Sequence, residues 1–337
     1  MTDQQKSILK TVGFPAYWAY KKYKLIYKTI SDEYDKRHPM KTAEKTFHDW
    51  LGYSINWDAP RDLNEKINWL KFHVDPYEWA RLADKYEVRE YIRERGLEDI
   101  LIPIYGKWNS REEVLDAWDS LPDEFVLKSN NGCGNLMIVS EKSGGKEAVN
   151  KEELRKTLNK WLDEKEFGLL QAELHYQLIE NCIFAEKLLK DESVETFSCS
   201  MVDYKIWCLD GKPYGCLVVY DRHIGGHYIL DWYDLEWNQH SEMMTDQNIK
   251  RVPIPKPKNW ERMLEYAAIL SNGHPQVRVD FYNINGKIYF GELTFTSACG
   301  YMCYFRPELL LKMGDEVTLD LNAPGNMFMP KKRKLRR

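Results

Sequence analysis

The sequence predicts an α+β protein with antiparallel sheets, and three stretches carry that prediction. Residues 277–295, VRVDFYNINGKIYFGELTF, alternate apolar and polar side chains on both sides of Asn285-Gly286, as two strands around a turn do. Residues 195–209 and 213–221 form a second such pair around Asp210-Gly211. Residues 125–140, FVLKSNNGCGNLMIVS, read as a strand, a glycine loop and a returning strand. Helical stretches with capping residues lie between these pairs.

Composition bounds the rest. A chain of 337 residues is long enough for two domains or one composite with a sizeable core. Its net charge of −4 gives no global pull toward nucleic acid or anionic membrane, and 43% apolar with 30% charged residues is the balance of a soluble globule. The seven cysteines are Cys133, Cys182, Cys199, Cys208, Cys216, Cys299 and Cys303, an odd number without zinc-ribbon or CxxC spacing. They read as reduced thiols of a cytoplasmic protein. The start, MTDQQKSILK, has no signal-peptide pattern, and no apolar run approaches the ~20 residues of a membrane span. The basic tail, KKRKLRR at 331–337, has the composition for weak peripheral contact with anionic lipid, although such tails are more often solvated.

In chain order, residues 1–60 read as a peripheral helical region, with Ile8, Val12, Tyr17, Tyr20 and Tyr23 to Ile26 on a rough stripe. Residues 61–124 form the region before the first hairpin. A helix over 61–72 starts with Asp62 and Glu65 in capping-box spacing. A second helix, 79–96, carries Leu82, Tyr86 and Tyr91 and ends at Gly96, with Asp84-Lys85 near its start. Residues 100–108 predict a strand, which Pro103 assigns to an edge.

Residues 125–190 hold the glycine loop and its flanking strands. Lys128 lies within the first strand and needs a partner there. Glycine backbone in SNNGCGN permits close approach to a phosphate, and Lys128 would add a point charge. The order strand–loop–strand excludes a Walker A loop and a Rossmann turn. Asn150 caps a helix through 165 that buries Leu154, Leu158, Trp161 and Leu162. Residues 182–190, CIFAEKLLK, predict a buried strand that leaves the core at Glu186.

Residues 191–325 hold the remaining hairpins and a helix over 260–270, and 326–337 form the tail. In the last hairpin, Arg278, Asp280 and Tyr282 share one strand face, and Phe290, Glu292 and Thr294 share one face of the other. Asp280 and Glu292 could hold a divalent metal between them. A two-residue Asn-Gly loop pairing Ile284 with Lys287 would put these carboxylates on opposite faces. A three-residue loop ending in a left-handed Gly286 pairs Asn283 with Lys287, sets Arg278 opposite Glu292 and places Asp280 diagonally on the same face. The bulged turn is therefore the expectation.

Six segments together resemble the TupA-like ATP-grasp family: LNEKINWLKFH (63–73), LADKYEVREYI (82–92), FVLKSNNGCGN (125–135), DYKIWCLDGKP (203–213), DLEWN (234–238) and the hairpin 277–295. The resemblance implies two α+β lobes with antiparallel sheets that clamp ATP. It implies that Lys85 and Lys128 reach phosphates and that the loop with Asn131, Gly132 and Gly134 is a lid. By the same resemblance Glu186, Lys187 and Leu189 form the adenine hinge, Asp191 or Glu192 holds the ribose, and Lys205 meets the γ-phosphate. Asp280 and Glu292 would hold magnesium, as two ions, with Thr294 where many relatives carry Asn. Arg278 would steady the transferred phosphoryl, and Arg222 and His223 would hold the acceptor.

The implied activity is a carboxylate–amine ligase that works through an acyl phosphate and releases ADP and phosphate. Its substrates would be a small or sugar-linked carboxylate and an amine, in surface-polysaccharide or capsule synthesis. A small-molecule kinase on the same fold is one alternative. A degenerate polysaccharide-binding protein, with Trp232, Trp237 and Trp260 stacking on sugars, is the other, although these residues read more readily as core or lobe-edge residues.

Overall fold

The computed structural model describes residues 22, 25, 29, 31–191, 197–222 and 227–325. Most of the N-terminal stripe, Glu192, His223 and the basic tail lie outside the described residues. Two antiparallel sheets organise the chain. Strands β1 (Ile104–Trp108), β2 (Phe125–Ser129), β3 (Leu136–Val139) and β4 (Ile183–Lys187) make the first sheet, in the order β1-β4-β2-β3. Strands β5 (Asp203–Leu209), β6 (Lys212–Tyr220), β7 (Ile229–Tyr233), β8 (Gln276–Ile284) and β9 (Lys287–Thr294) make the second, in the order β7-β6-β5-β8-β9.

The first sheet has one apolar face and one mixed face, because side chains alternate along each strand. Phe125, Leu127, Ile183 and Ala185 pack against Leu154, Leu158 and Trp161 of helix α6 and against Val114 of α5. Here α6 is Lys151–Leu162, capped by Asn150 Oδ1, which accepts from the Glu152 and Glu153 amides, and α5 is Arg111–Ala117, capped by Ser110. The opposite face carries Lys128, Phe184 and Glu186. Pro103 precedes β1, which is an edge strand as expected.

The second sheet buries Tyr204, Ile206, Cys208, Val277, Val279 and Phe281 against α7 (Trp260–Ser271). Burial of each such large side chain stabilises the fold by roughly 1.5–3 kcal/mol. Its other face carries Trp207, Leu209, Leu217 and Val219, covered by Met302, Phe305 and α8 (Pro307–Asp315), and continues into Lys205, Arg278 and Asp280. Ahead of the sheets lie α1 (Pro39–Leu51), α2 (Leu63–Leu70), α3 (Pro76–Ala83) and α4 (Val88–Glu94). The Asp62–Glu65 capping box at α2 forms in both directions. Among the described residues no helix is long and apolar enough to cross a membrane.

Three sequence expectations are corrected here. The helix expected over 79–96 is broken into α3 and α4, because buried Asp84 leaves the helical region and its carboxylate accepts from the Tyr86 and Glu87 amides. This restarts the helix and frees Lys85 to point elsewhere. Strand β4 continues through Glu186 to Lys187, so Glu186 is an interior residue and not the exit. The strand expected from 195 begins at Asp203, after turns over 197–202. Trp232, Trp237 and Trp260 are core residues, as the favoured reading has them: Trp232 and Trp260 are buried, and Trp237 packs on Trp260 and Tyr233.

The fourth correction concerns the last hairpin. The turn is the two-residue one: Ile284 pairs with Lys287, and Asn285 (φ 53°) and Gly286 (φ 92°) are both left-handed. The extra residue is Gly291, because the register shifts between Asp280 and Phe281. Asp280 therefore stands directly opposite Glu292, and Arg278 opposite Thr294. Phe290 pairs with Phe281 and joins the core with Leu293, so it does not share the Glu292 face. Gly291 is needed at the bulge: a Cβ there would lie 3.0 Å from the Asp280 carbonyl oxygen.

Candidate active site

The mixed faces of the two sheets line one cleft of about 410 Å³. From the first sheet come Lys128, Phe184 and Glu186, from the second Asp203, Lys205, Arg278, Asp280, Tyr282, Glu292 and Thr294. Lys85, Arg89, Gly132, Cys133, Gly134 and Arg222 complete its charged and glycine-bearing wall.

Register builds the floor. Lys205 on β5 pairs with Asp280 on β8, which pairs with Glu292 on β9, so the three stand in one row across three strands. The adjacent row is Trp207, Arg278 and Thr294. The Arg278 guanidinium donates from Nε to Asp280 Oδ1 and from Nη2 to Asp280 Oδ2, each at 2.7 Å. Nη2 also donates to Glu292 Oε1 at 3.2 Å and Thr294 Oγ1 at 3.0 Å. The Lys205 ammonium donates to Asp280 Oδ2. Trp207 lies under the guanidinium, with the ring centroid 5.6 Å away.

The electrostatics follow from this geometry. Burial alone would raise the Asp280 carboxyl, but Arg278 and Lys205 outweigh it and hold Asp280 below the ordinary carboxylate value. Burial would likewise lower Arg278, and Asp280 and Glu292 reverse this and raise it. Asp280 is therefore an anion at neutral pH even though it is buried.

The opposite wall is built the same way. Lys128 finds its partner in Glu186, a strand away. Lys85 donates to Gly132 O at 2.8 Å and lies 4.0 Å from Glu292 Oε2, so one lysine joins the loop to the floor. The loop root is pinned by Asn130, whose amide group donates to Asp84 and to Glu180 O and whose Oδ1 accepts from the Cys182 amide. Burial raises the Asp84 carboxyl to about 6, against opposing hydrogen bonds from Glu87, Tyr86 and Asn130. Gly132 (φ 89°) is left-handed, and a Cβ there would meet Asn135 Nδ2 at 2.6 Å.

Lys85, Lys128, Gly132, Gly134, Glu186, Lys205, Arg222, Arg278, Asp280, Glu292 and Thr294 thus converge as the sequence suggested. Asn131 turns away, its amide group donating to Tyr176 O and Asn181 Oδ1. Lys187, the last residue of β4, lies outside the lining, as do Leu189 and Asp191 beyond the strand. Sequence reasoning missed Asp203, which accepts from Arg222 at 2.7 Å and lies 3.7 Å from Lys205. Its place two residues before Lys205, on the same strand face, was the available signal. It also missed Arg89, Glu173, Tyr176 and Thr296. Thr296 was legible as the next member of the Glu292, Thr294 column. Glu173 sits in turns without periodicity and gave no signal.

The profile of the TupA-like ATP-grasp family matches residues 65–318. The chain belongs to that family, and its fold is the ATP-grasp fold. Among solved structures the chain is similar to a D-alanine–D-alanine ligase from Bacillus anthracis complexed with ATP. That match has 17% identity and a TM-score of 0.33, and covers 64% of this chain and 54% of that one. It is also similar to the D-alanine–D-alanine ligase from Helicobacter pylori (13% identity, TM-score 0.39, covering 76% and 67%). A third is the ATP-grasp ligase PsnB complexed with minimal precursor, Mg and ADP (12%, 0.35, covering 74% and 66%). The match therefore spans about half the length of the first ligase. No curated protein matches the chain.

Magnesium is the metal the family implies. Among the described residues no group of three or more His, Cys, Asp or Glu converges as a metal cage. The donors present, Asp280, Glu292 and the Thr294 hydroxyl, nonetheless fit it: magnesium commonly takes one or two carboxylates and completes its shell with phosphate and water.

Proposed function

We propose that this TupA-like ATP-grasp protein is an ATP-dependent carboxylate–amine ligase. The observation that carries the reading is the row Lys205–Asp280–Glu292, flanked by Arg278 and faced by Lys85 and Lys128 across one cleft. Among the described residues six cations line the cleft (Lys85, Arg89, Lys128, Lys205, Arg222 and Arg278) against five carboxylates (Glu173, Glu186, Asp203, Asp280 and Glu292). Lys128, Lys205, Arg222 and Arg278 each rest on a carboxylate. A nucleotide triphosphate offers them a second set of anionic oxygens, while Asp280 and Glu292 remain to hold metal.

Bound magnesium would neutralise phosphate charge and orient the terminal phosphoryl. Lys85 and Lys128 would hold the phosphates from the lid side, and Gly132 to Gly134 would close over them with backbone amides. Lys205 and Arg278 would stabilise the charge that spreads over the transferred phosphoryl. A substrate carboxylate attacks the γ-phosphorus, giving an acyl phosphate and ADP. An amine then attacks the acyl carbon and releases phosphate. Positioning and electrostatics account for most of the catalysis in this scheme. Arg222, exposed at the cleft mouth and anchored by Asp203, is placed to meet the carboxylate substrate. The family's name supports a setting in surface-polysaccharide synthesis, with a sugar acid as the carboxylate and two magnesium ions in the site.

A screen of sugar acids and amines, read by phosphate release and product mass, tests this. ADP and phosphate formed only when acid and amine are both present, with an amide product, is the expected result. AMP formation, or a stable phosphorylated acid that no amine consumes, would overturn it.

A further inference from the structure

The same cleft is also lined by residues to which the phosphate chemistry above assigns no role. They include Glu173, Tyr176, Thr296, Ala298 and Cys299. Glu173 is only 4% exposed, yet it borders the cleft. Thr296 Oγ1 donates to Glu173 Oε1 at 2.5 Å, and the Cys299 thiol lies beside the same carboxylate. The Lys71 charge acts on Glu173, but its ammonium donates elsewhere: to Asn68 Oδ1, Gln171 O and Cys299 O. The carboxylate is thus held by a neutral hydroxyl donor, with no direct ion pair to Lys71.

The wall beside it is strained. Ala298 (φ 46°), Cys299 (φ 57°) and Gly300 (φ 75°) are consecutive left-handed residues. Such backbone costs of order 1–3 kcal/mol for each non-glycine residue, and it tends to be kept at ligand sites. Buried polar groups at and just beyond α2 hold the turn: Asn68 Nδ2 donates to Gly300 O, Lys71 to Cys299 O, and Asn64 Oδ1 accepts from the Met302 amide. This support brings Cys299 up to the carboxylate.

Position completes the case. Glu292 and Thr294 are alternate residues at the end of β9, and Thr296 follows two residues beyond the strand in the same cleft lining. Tyr176 shares this lining and feels the charges of Glu173, Glu292 and Arg278. A group held by Glu173 is therefore next to, but not in, the phosphoryl-transfer centre. A carboxylate with a neutral supporting donor matches a primary ammonium, which brings a charge and three N–H donors.

We propose that Glu173, with Thr296 and Cys299, forms the subsite for the amine co-substrate, binding its primary ammonium and accepting the proton that leaves before attack. This rests on the ligase reading above. One ammonium proton passes to a Glu173 carboxylate oxygen, and the freed nitrogen lone pair forms the C–N bond to the acyl carbon. The C–O bond to phosphate breaks, phosphate departs with that electron pair, and a second N–H proton leaves with it. Burial raises the Glu173 carboxyl above its ordinary value, with Lys71, Thr296 and Cys299 opposing, so it is a stronger base than a solvated glutamate.

The test is titration of the full chain, loaded with magnesium and the non-hydrolysable analogue AMP-PNP, with ethylammonium chloride and with tetramethylammonium chloride. Saturable binding of ethylammonium and none of tetramethylammonium is expected in the wild type. Glu173→Gln keeps an acceptor for Thr296 and should weaken ethylammonium at least about ten-fold, the loss of a charge-assisted hydrogen bond. Its AMP-PNP affinity should stay within about two-fold of wild type, since a change much under 1.4 kcal/mol is less than ten-fold. Glu173→Asp, which keeps the charge, should retain discrimination between the two cations. No saturable ethylammonium binding in the wild type, or equal binding in wild type and E173Q, overturns the subsite. Failure of the wild type to bind AMP-PNP overturns instead the nucleotide reading on which it rests.

Discussion

Replacing Asp280 by Asn tests the floor of the cleft, because it keeps the shape and removes the charge. The Asp280 side chain is 6% exposed, and those of Arg278 and Lys205 are 10% and 14%. Arg278 donates to it twice and Lys205 once. Breaking a fully buried ion pair from one side costs about 3–5 kcal/mol, because the other charge is left behind. Here Arg278 keeps Glu292 and Thr294, and Lys205 keeps Asp203 at 3.7 Å. The expected loss is therefore at the lower end, about 3 kcal/mol. Urea denaturation measures it.

Lys205→Met in the D280N background removes one stranded cation, so the double variant should be less destabilised than the sum of the singles by about 1.5 kcal/mol. Additivity to within about 0.5 kcal/mol would refute the pairing. The pH dependence has a definite sign. Asp280 is held below the ordinary carboxylate value in the folded protein. Its contribution is thus complete above that value and disappears as pH falls through the lower, folded one. Wild-type and D280N stabilities should converge in acid. Magnesium-nucleotide turnover should be abolished in D280N, and retained activity would remove Asp280 from the metal site.

Lys128→Ala strands the buried Glu186 and should weaken nucleotide binding by about ten-fold or more, as loss of a charge-assisted contact does, measured by calorimetry; unchanged affinity would remove Lys128 from the phosphate site. Gly291→Ala pushes a Cβ to 3.0 Å from the Asp280 carbonyl oxygen. It should cost about 1–3 kcal/mol in a urea titration, as overpacking does, and lower magnesium-ATP affinity, whereas wild-type values for both would show that the bulge tolerates a side chain. Burial, with Lys71 adding to it, lowers buried His175 from 6.5 to about 3, so the unfolded chain takes up its proton first. Wild-type stability should then fall by up to about 1.4 kcal/mol per pH unit below the ordinary histidine value, and His175→Phe should remove that slope; parallel curves for the two would contradict it.

Local chemistry made much of this protein legible in its sequence. Asp210-Gly211 announces a two-residue turn through its tolerance of left-handed backbone, and that turn forms, whereas Asn285-Gly286 announces the turn of the last hairpin but not its two-residue length. The capping residues Asp62 and Asn150 start the helices they announce, since each supplies an acceptor to amides that have no helical partner. Lys128, Lys205, Asp280 and Glu292 stood out because charges within strand patterns need partners. What pairs with what was a matter of tertiary structure. A bulge adds one residue to one strand, and no local preference says where. Placed at Gly291, it puts Asp280 opposite Glu292 with the ordinary turn intact, which sequence periodicity could not foresee. The break at Asp84 likewise depends on Asn130, 46 residues away, donating to its carboxylate. Glu173 meets Thr296 across 123 residues of chain, so its place in the cleft exists only once the two sheets face each other.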